Sequence, residues 1–462
     1  MTNDDSSRRS FLGHAVTLGS VPLVGTAFAA GPNQAKSVPK THGGKQVIIP
    51  THEHAGDIDE RIDFPPGWDV NVMNMAAHDA PVITQKQLAD QMDQPVGTKT
   101  LRELAQGKNR VVITFDDLTR TTPTYVMTPW VINELTAAGV KEENILFLGS
   151  FGTHRCMSAD EIRIKLGKDI ANKYAWMNHN AFDCLKEVGT TTRGNRILLN
   201  QTFVGADLKI CLSGVKVHYD AGYGGGAKAV LPGVAGLPTI EFNHQQILGF
   251  GATRNKTTGP VKIFKNEMRQ DLIEAARFAK VDFSVQLLYN QKLKPLRAYS
   301  GDIVDAHHTA VRLAAKTYCT PTYKDADIVV ANAYPQNAQP YHGGTWIGNS
   351  VKQGGTGVLI VQHPLGYDPV HYLNNKLAGA RGQTYWDLHR HGPRPGPKGS
   401  HMIVYSQYMS RNIIDNYGSD ADFCTTWADV IKILRERHKG NDVKVAVYPY
   451  AGMQHQEIEL DG

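Results

Sequence analysis

The chain has 462 residues, more than one ordinary hydrophobic core accommodates, so two domains are expected. Apolar residues make up 41% of it and charged residues 20%, a balance typical of a soluble globular protein. The net charge of +5 is modest and the basic residues are dispersed, so nucleic acid is not expected as a partner. The five cysteines are scattered and include no CxxC pair, so neither a disulfide framework nor a thiolate zinc site is required, although an isolated disulfide stays open.

The first thirty residues have the layout of an export signal. An arginine pair in the letters SSRRSFLG precedes a mildly apolar run that ends in the small-x-small letters AFA. This pattern predicts a twin-arginine signal peptide over residues 1–30, a Gly/Pro/Lys-rich linker over 31–45, and a periplasmic location reached through the twin-arginine export machinery. A membrane anchor is the alternative, which the histidine and proline inside a short apolar run disfavour.

Short buried-strand patterns alternate with helical patterns along the rest of the chain. The strand-like segments read NRVVITFDD, NILFLGSFGTH, DLKICLSGVKVH, DIVVANAYP and GTGVLIVQHP, and PTYVMTPWVINELTAAGV is helix-like. This alternation predicts an α/β fold with mainly parallel sheets. We expect two α/β domains, a cofactor-binding catalytic domain over 46–287 and a C-terminal domain over 288–462, with the active site in the cleft between them.

Polar residues follow the first of these strands, at the end where parallel sheets carry their sites. They are Asp117, Thr119 and Arg120. A carboxylate at a strand end can bind ribose hydroxyls, and an arginine can hold a carboxylate or phosphate through two contacts. A helix-capping aspartate beside a surface arginine is the competing interpretation.

A histidine, His154, follows the next strand and its glycines. Ser158 and Glu161 have the spacing of a capping box for a helix, and that structural use does not involve His154. His154 is therefore a candidate acid or base, although a lone strand-end histidine is more often a satisfied polar group.

The longest signature reads VKVHYDAGYGGGAKAVLPGVAG. Gly224, Gly225 and Gly226 allow close approach to the backbone, and Lys228 follows where it can meet an anion or a carbonyl-type carbon. A phosphate-binding P-loop needs a serine or threonine after the lysine to bind magnesium, but alanine stands there. A nucleoside triphosphate site is therefore disfavoured.

Two further histidines flank this signature, His218 before the glycines and His244 in TIEFNHQQ. Together with His154 they could form a zinc site from three loops. They lack the tight i, i+4 spacing that makes a metal assignment strong, so scattered core and surface histidines are the alternative at this point.

Four motifs in the same order and with similar spacing resemble those of the lactate racemase family, the nickel-pincer nucleotide enzymes. The motifs are DDLTRTTP, GTHR, VHYDAGYGGGAKAVLPGVAG and FNHQ, and the resemblance runs from FPPGWDV to near the C-terminus. It implies a cofactor, a pyridinium mononucleotide that is bonded to a lysine through a thioamide and holds nickel through two sulfurs and a ring carbon. Square-planar nickel with sulfur donors is chemically reasonable.

Carried over residue by residue, the resemblance makes Lys228 the tether and His244 the nickel ligand. Asp117, Thr119 and the three glycines 224–226 become cofactor-binding residues. The implied partners include cofactor-synthesis proteins in the cytosol, which suits an export route that carries folded, loaded proteins.

The resemblance also implies a reaction, inversion of the carbinol carbon of a 2-hydroxy acid by hydride transfer to and from the cofactor through a planar 2-keto acid. His154 and His218 become the acid/base pair, because a reaction that runs both ways between mirror-image centres needs a base on each side. Arg120 becomes the residue that orients the substrate carboxylate.

The chain departs from the family pattern at the substrate segment, Tyr-Gln-x-x-Lys in the family. Tyr341, His342 and Thr345 stand there, so a lysine that helps to hold the carboxylate is replaced by Thr345. Asp220 stands where the family has an aromatic residue, and alanine precedes the tether lysine where the lactate enzyme usually has arginine. The loss of this lysine and the gain of the Asp220 carboxylate argue against lactate as the substrate. The substrate is then a larger or sugar-derived acid, or its carboxylate is held by Arg120 alone.

Two other functions are open. An exported metal-dependent hydrolase would use His154, His218 and His244 as ligands and would carry no covalent group on the lysine. A non-catalytic periplasmic binding protein would explain export but not the histidines at strand ends. Trp346 and Trp386 are both candidates for the family's pocket tryptophan.

Overall fold

The computed structural model describes residues 44–249, 253–337, 339–364, 399–409 and 420–461. The predicted signal peptide, the linker up to residue 43 and Trp386 lie outside these residues. None of the helices within the described ranges is both long enough and apolar enough to cross a membrane.

Strands and helices alternate through most of the described chain. In chain order the strands are β1 (Gln46–Thr51), β2 (Ile58–Asp63), β3 (Asp69–Val72), β4 (Val111–Phe115), β5 (Ile145–Gly149), β6 (Ala175–Asn178), β7 (Leu185–Thr190), β8 (Arg196–Asn200), β9 (Leu208–Gly214), β10 (Val217–His218), β11 (Ala221–Tyr223), β12 (Gly259–Pro260), β13 (Phe283–Tyr289), β14 (Pro295–Gly301), β15 (Cys319–Thr320), β16 (Ala326–Asn332), β17 (Val351–Ile360), β18 (His401–Tyr405), β19 (Asp422–Cys424), β20 (Lys444–Tyr448) and β21 (His455–Gln456). The α-helices are α1 (Gln85–Met92), α2 (Leu101–Ala105), α3 (Thr128–Ala137), α4 (Ala159–Leu166), α5 (Lys168–Lys173), α6 (Gln201–Val204), α7 (Leu237–Phe242), α8 (Glu267–Ala279), α9 (Asp305–Thr317), α10 (Tyr341–Ser350) and α11 (Trp427–Arg437).

The first large sheet has the strand order β14-β13-β9-β4-β5-β6. All neighbours in it are parallel except β13 and β14. β4 and β9 are buried along their whole length, as expected for strands covered on both faces. Alternate residues of β4 enter two different apolar clusters, Ile113 one and Val112 the other, so a core lies on each face.

The second large sheet has the strand order β19-β18-β17-β16-β20-β3 and is parallel throughout. Helix α10 packs on one face of it through Trp346 and Ile347. Helix α11 and the antiparallel pair β1–β2 cover the other face, where Val47 and Leu434 join one cluster. The predicted α/β class with mainly parallel sheets is therefore confirmed.

Sheet membership crosses the predicted division between residues 287 and 288 in both directions. Strand β3 comes from the N-terminal side but belongs to the second sheet, and β14 comes from the C-terminal side but belongs to the first. The domain boundaries and the cleft remain predictions.

Two local predictions are confirmed. The segment predicted to be helical contains helix α3. A proline lies in the first turn of α3, where a backbone N–H has no hydrogen-bond partner within the helix. Helix α4 begins with the predicted capping box, in which the Ser158 hydroxyl accepts from the Glu161 N–H and the Glu161 carboxylate accepts from the Ser158 N–H.

Candidate active site

A pocket lies at the carboxyl ends of β4, β5 and β9. These strands are parallel neighbours, so the residues that follow them meet at one edge of the sheet. The predicted site residues that line the pocket are Asp117, Arg120, His154, His218, Gly224, Gly225, Lys228 and His342. Gln336, which follows β16, also lines it, so the second sheet contributes to the wall.

His154 is oriented by Asp117. Nδ1 of His154 lies 2.6 Å from Oδ2 of Asp117, and the Thr119 hydroxyl donates to Oδ1 of the same carboxylate at 2.5 Å. Burial raises the pKa of Asp117, but the His154 ring, Arg120 and Thr119 outweigh it, so the pKa falls well below its usual range. A carboxylate beside Nδ1 keeps the ring proton there and leaves Nε2 as the basic nitrogen.

The neighbouring carboxylate, Asp116, has a different role. Its Oδ1 accepts from Nζ of Lys165 at 2.6 Å, and its Oδ2 accepts from the Thr122 hydroxyl at 2.6 Å. Lys165 is fully buried on α4 and also donates to the carbonyl of Arg120 at 2.9 Å. Asp116 therefore anchors the loop that carries Arg120.

His218 is held in the other tautomer. Its Nδ1 accepts hydrogen bonds from the backbone N–H groups of Asp220 and Ala221, both at 3.2 Å. Burial, followed by the positive charges of Lys228 and Arg120, holds the pKa of His218 well below its usual value. The neutral ring therefore carries its proton on Nε2 and acts as a hydrogen-bond donor.

Lys228 is a buried lysine that forms no ion pair with a described carboxylate. Among the described residues, none accepts a hydrogen bond from its Nζ. Burial, and then the charges of Arg120 and Arg269, lower its pKa well below the usual value, while Asp220 opposes the shift. An unprotonated amine is a nucleophile, so Lys228 has the chemistry of a residue that can be acylated.

The glycine loop before Lys228 is packed by three buried side chains. Gly225 has a φ of +74°, and a Cβ there would lie 2.7 Å from Oε1 of Gln286, the atom that accepts from the Gly226 N–H. A Cβ on Gly226 would lie 2.6 Å from His307. Arg269 donates to the Gly225 carbonyl of the loop at 3.1 Å and to two carbonyls of β11, those of Ala221 and Tyr223. The protein's own packing thus requires glycine at these positions.

His244 lies on a π-helical segment, Asn243–Ile247, that continues α7. Its Nδ1 donates to the Ile240 carbonyl at 2.9 Å, which leaves Nε2 with its lone pair, as in histidines that bind metals. Burial, and then the charge of Lys228, lower its pKa to about 4. The adjacent Asn243 donates to Asp271 at 2.8 Å, and this buried contact anchors the segment.

The donor set fits the nickel-pincer nucleotide better than a zinc triad. Across the described ranges, no group of three or more His, Cys, Asp or Glu side chains is placed to hold a metal ion. His154, His218 and His244 therefore do not converge as three ligands. His244 has a lone pair on Nε2 and lies close enough for the charge of Lys228 to lower its pKa. One such histidine and one amine without a described acceptor suit a metal whose other donors come from an organic group bonded to that amine.

The residues of α10 are divided between two pockets. His342 lines the main pocket and also its neighbour, and the exposed Tyr341 stacks on the His342 ring with centroids 4.6 Å apart. Thr345 lines a neighbouring, mostly apolar pocket together with Trp346. Asp220 forms an ion pair with Arg254 at 2.6 Å and does not line the main pocket. The substrate roles of Tyr341, His342 and Thr345 remain predictions.

Sequence reasoning missed a second cation in this pocket, Lys216. It is buried, and its Nζ donates to Oε1 of Gln336 and to the Gly452 carbonyl. The signal was available in the letters VKVH, because alternation along an extended segment directs Lys216 and His218 to the same side.

The chain matches the family model described as "Lactate racemase N-terminal domain" over residues 56–256. It is 29% identical over 283 residues to the lactate racemase of Lactiplantibacillus plantarum, a match that covers 60% of this chain and 65% of that protein. It is 27% identical over 316 residues to the lactate racemase of Thermoanaerobacterium thermosaccharolyticum, covering 64% of this chain and 73% of that one. The matched part thus spans just under two thirds of the first relative's length.

Two solved structures have the same fold. The lactate racemase apoprotein from T. thermosaccharolyticum superposes with a TM-score of 0.65 at 21% identity, covering 89% of this chain and 100% of that one. A protein from Thermotoga maritima superposes with a TM-score of 0.59 at 18% identity, covering 82% of this chain and 99% of that one.

Proposed function

We propose that the chain is a member of the lactate racemase family and that it is a racemase or epimerase, which inverts the carbinol carbon of a 2-hydroxy acid with a nickel-pincer nucleotide tethered to Lys228. One observation carries the proposal. A single pocket holds a carboxylate-backed histidine, a neutral histidine that donates, an unpaired buried amine and an arginine.

Each of these groups has a task that its geometry suits. Arg120 binds the substrate carboxylate through its guanidinium. Nε2 of His154 accepts the proton of the substrate hydroxyl, and the Asp117 carboxylate stabilises the imidazolium that forms. The Nε2–H of His218 donates a hydrogen bond to the substrate oxygen as that oxygen becomes a carbonyl.

When bound, the cofactor supplies a hydride acceptor and donor for the substrate carbon. Lys228 would hold it covalently and Nε2 of His244 would bind its nickel. Return of the proton from His154 restores the starting protonation state. His218 can accept a proton at Nε2 only after its own proton moves to Nδ1, which the N–H groups of Asp220 and Ala221 oppose.

The substrate class is a 2-hydroxy acid. The idea of a larger or sugar-derived acid rested on two departures from the family, at Asp220 and Thr345. Asp220 is paired with Arg254 outside the main pocket, so that idea now rests on Thr345 alone. Export by the twin-arginine route, with cofactor loading in the cytosol, completes the proposal and rests on the sequence of residues 1–30.

The test is intact-protein mass with nickel analysis on protein from a host that makes the cofactor, followed by chiral analysis of 2-hydroxy acids incubated with it. We expect added mass that is lost in Lys228→Ala, about one nickel per chain, and interconversion of enantiomers or epimers. Unmodified mass without nickel, from a host shown to load another member of the family, would overturn the proposal. Nickel or zinc without added mass would instead favour the hydrolase.

A further inference from the structure

Lys216 and Arg120 approach the same pocket from different elements. Arg120 lies in the loop after β4, and Lys216 lies in the link between β9 and β10, two residues before His218. Their charges are close enough for Arg120 to lower the pKa of Lys216. Two like charges directed at one cavity are costly unless an anion lies between them.

A pair of glutamines connects the two cations. Nζ of Lys216 donates to Oε1 of Gln336, Nε2 of Gln336 donates to Oε1 of Gln339, and the Arg120 guanidinium donates to that same Oε1 of Gln339 at 3.4 Å. The glutamines are neutral, so they fix the positions of the cations without neutralising them.

No carboxylate of the described chain forms an ion pair with either cation. Lys216 has a second acceptor, the Gly452 carbonyl at 3.1 Å, and Arg120 also donates to the Thr119 hydroxyl at 3.1 Å. The carboxyl group of Glu53 acts on Lys216 from a distance but accepts its hydrogen bonds from Asn337. Burial raises the pKa of Glu53 to about 8, so at neutral pH it is mostly uncharged and offsets the charge of Lys216 only in part.

We propose that Lys216 and Arg120 together form the carboxylate-binding site for the 2-hydroxy acid, with Lys216 as its second cation. The inference rests on the proposed function and names a binding residue for it. Both cations line the pocket that contains His154 and His218, so a carboxylate held between them brings the adjacent carbinol carbon toward the two histidines. Thr345 is not required for this binding, because it lines a different pocket.

The test is calorimetric binding of glycolate to the full-length, cofactor-loaded protein. Glycolate carries the carboxylate and the hydroxyl but has no stereocentre, so binding is measured without inversion. In Lys216→Met we expect glycolate affinity to fall about 10- to 100-fold, because a charge-assisted hydrogen bond is lost. Lys216→Arg keeps the charge and should keep most of the affinity. Binding of propane-1,2-diol, which lacks the carboxylate, should be unchanged.

Lys209→Met is the matched control. Like Lys216, Lys209 is a buried lysine. It lies on β9, its Nζ donates to the Ala206 carbonyl, and it does not line the pocket. If Lys216→Met does not fold, Lys216→Gln replaces it. For the substrate that is racemised, KM should rise far more than kcat falls.

Wild-type glycolate affinity in Lys216→Met, or an equal loss in the arginine variant, would overturn the inference, because charge would then not be what Lys216 supplies. The two proposals fail separately. Glycolate binding that depends on Lys216 in a protein that inverts no 2-hydroxy acid would preserve the anion site and refute the proposed reaction. Racemisation by Lys216→Met with an unchanged KM would instead preserve the proposed reaction and refute the anion site.

Discussion

His154 and His218 line one pocket with opposite ring nitrogens protonated. Nδ1 of His154 is next to the Asp117 carboxylate, whereas Nδ1 of His218 accepts two backbone N–H groups. The two histidines are therefore not equivalent in the resting protein, although the proposed reaction interconverts mirror images. Before substrate binds, His154 is prepared to accept a proton and His218 to donate a hydrogen bond.

Glutamine substitutions distinguish the two histidines. A glutamine at 218 retains an N–H donor, so His218→Gln should lower kcat about 10-fold, whereas His154→Gln cannot accept a proton and should lower it about 100- to 10,000-fold. Racemisation is followed in both directions by chiral chromatography. Equal losses in the two variants would show that His218 serves equally as a base.

The anchoring of His244 through Asp271 predicts a structural effect on the metal site. Asp271 is fully buried and accepts from Thr191, Asn195 and Asn243 at 2.7–2.8 Å. In Asp271→Asn the amide nitrogen cannot accept a hydrogen bond, so at least one of these buried donors loses its acceptor. The substitution should lower the free energy of unfolding by about 1–3 kcal/mol and reduce the amount of nickel bound per chain. Urea unfolding and nickel analysis measure the two effects.

Asp160→Asn is the control for this variant, because Asp160 forms only an exposed i, i+3 pair with Arg163. It should leave both quantities unchanged. A fully loaded, equally stable Asp271→Asn would contradict the anchoring role.

Burial of Lys216 predicts a pH-dependent stability. Its pKa is lowered to about 7 by burial and by Arg120, with Glu53 and Asp116 opposing, while the unfolded chain keeps the proton to a pH near the usual value of 10.5. Between these values unfolding takes up a proton, so the free energy of unfolding of the wild type rises with pH. From pH 8, where Glu53 is about half ionised, to pH 10, the free energy of unfolding should rise by about 1–3 kcal/mol relative to that of Lys216→Met. Urea unfolding at each pH measures this difference. If the free energies of unfolding of the wild type and Lys216→Met change equally with pH, the prediction is wrong.

Two glycines with nearly the same φ separate backbone strain from lack of space. Gly107 has a φ of +71° with nothing within 4 Å of its would-be Cβ, whereas Gly225 has a φ of +74° with Gln286 at 2.7 Å. Gly107→Ala should cost about 1 kcal/mol of stability, and Gly225→Ala about 2–4 kcal/mol. Intact mass should also show less cofactor on Lys228 in Gly225→Ala. Similar costs in the two variants would mean that the loop yields to the extra methyl group.

The export proposal is tested by replacing both arginines of the signal, Arg8→Lys together with Arg9→Lys. Twin-arginine export depends on the pair, so the double variant should remain in the cytosol with its cofactor attached. Cell fractionation with mass analysis of each fraction measures this. An unchanged periplasmic fraction would show that another route carries the chain.

The edge of the sheet where the site lies could be predicted from sequence, because parallel strands end together and the polar residues follow strand patterns. Asp117 and His154 were found in this way, and their contact follows from the pairing of β4 with β5. The different roles of Asp116 and Asp117 could not be predicted. They depend on whether Lys165 or His154 lies opposite each carboxylate.

The side chains that pack against the glycine loop could not be predicted from the sequence either. Arg269 and His307 come from α8 and α9, far along the chain, and they bind backbone carbonyls, which every residue offers. A contact to a carbonyl leaves no pattern in the side chains. Sheet membership shows the same limit, because β3 pairs with β20 near the other end of the described chain.

The pairing of β3 with β20 has a consequence for biosynthesis. The segment Asp69–Val72 emerges from the ribosome long before its neighbour in the sheet, Lys444–Tyr448. Gly452, which accepts from Lys216, follows that late strand. Lys216 therefore lacks one of its two acceptors until Gly452 has been made, so this side of the pocket is assembled after the strands of the first sheet.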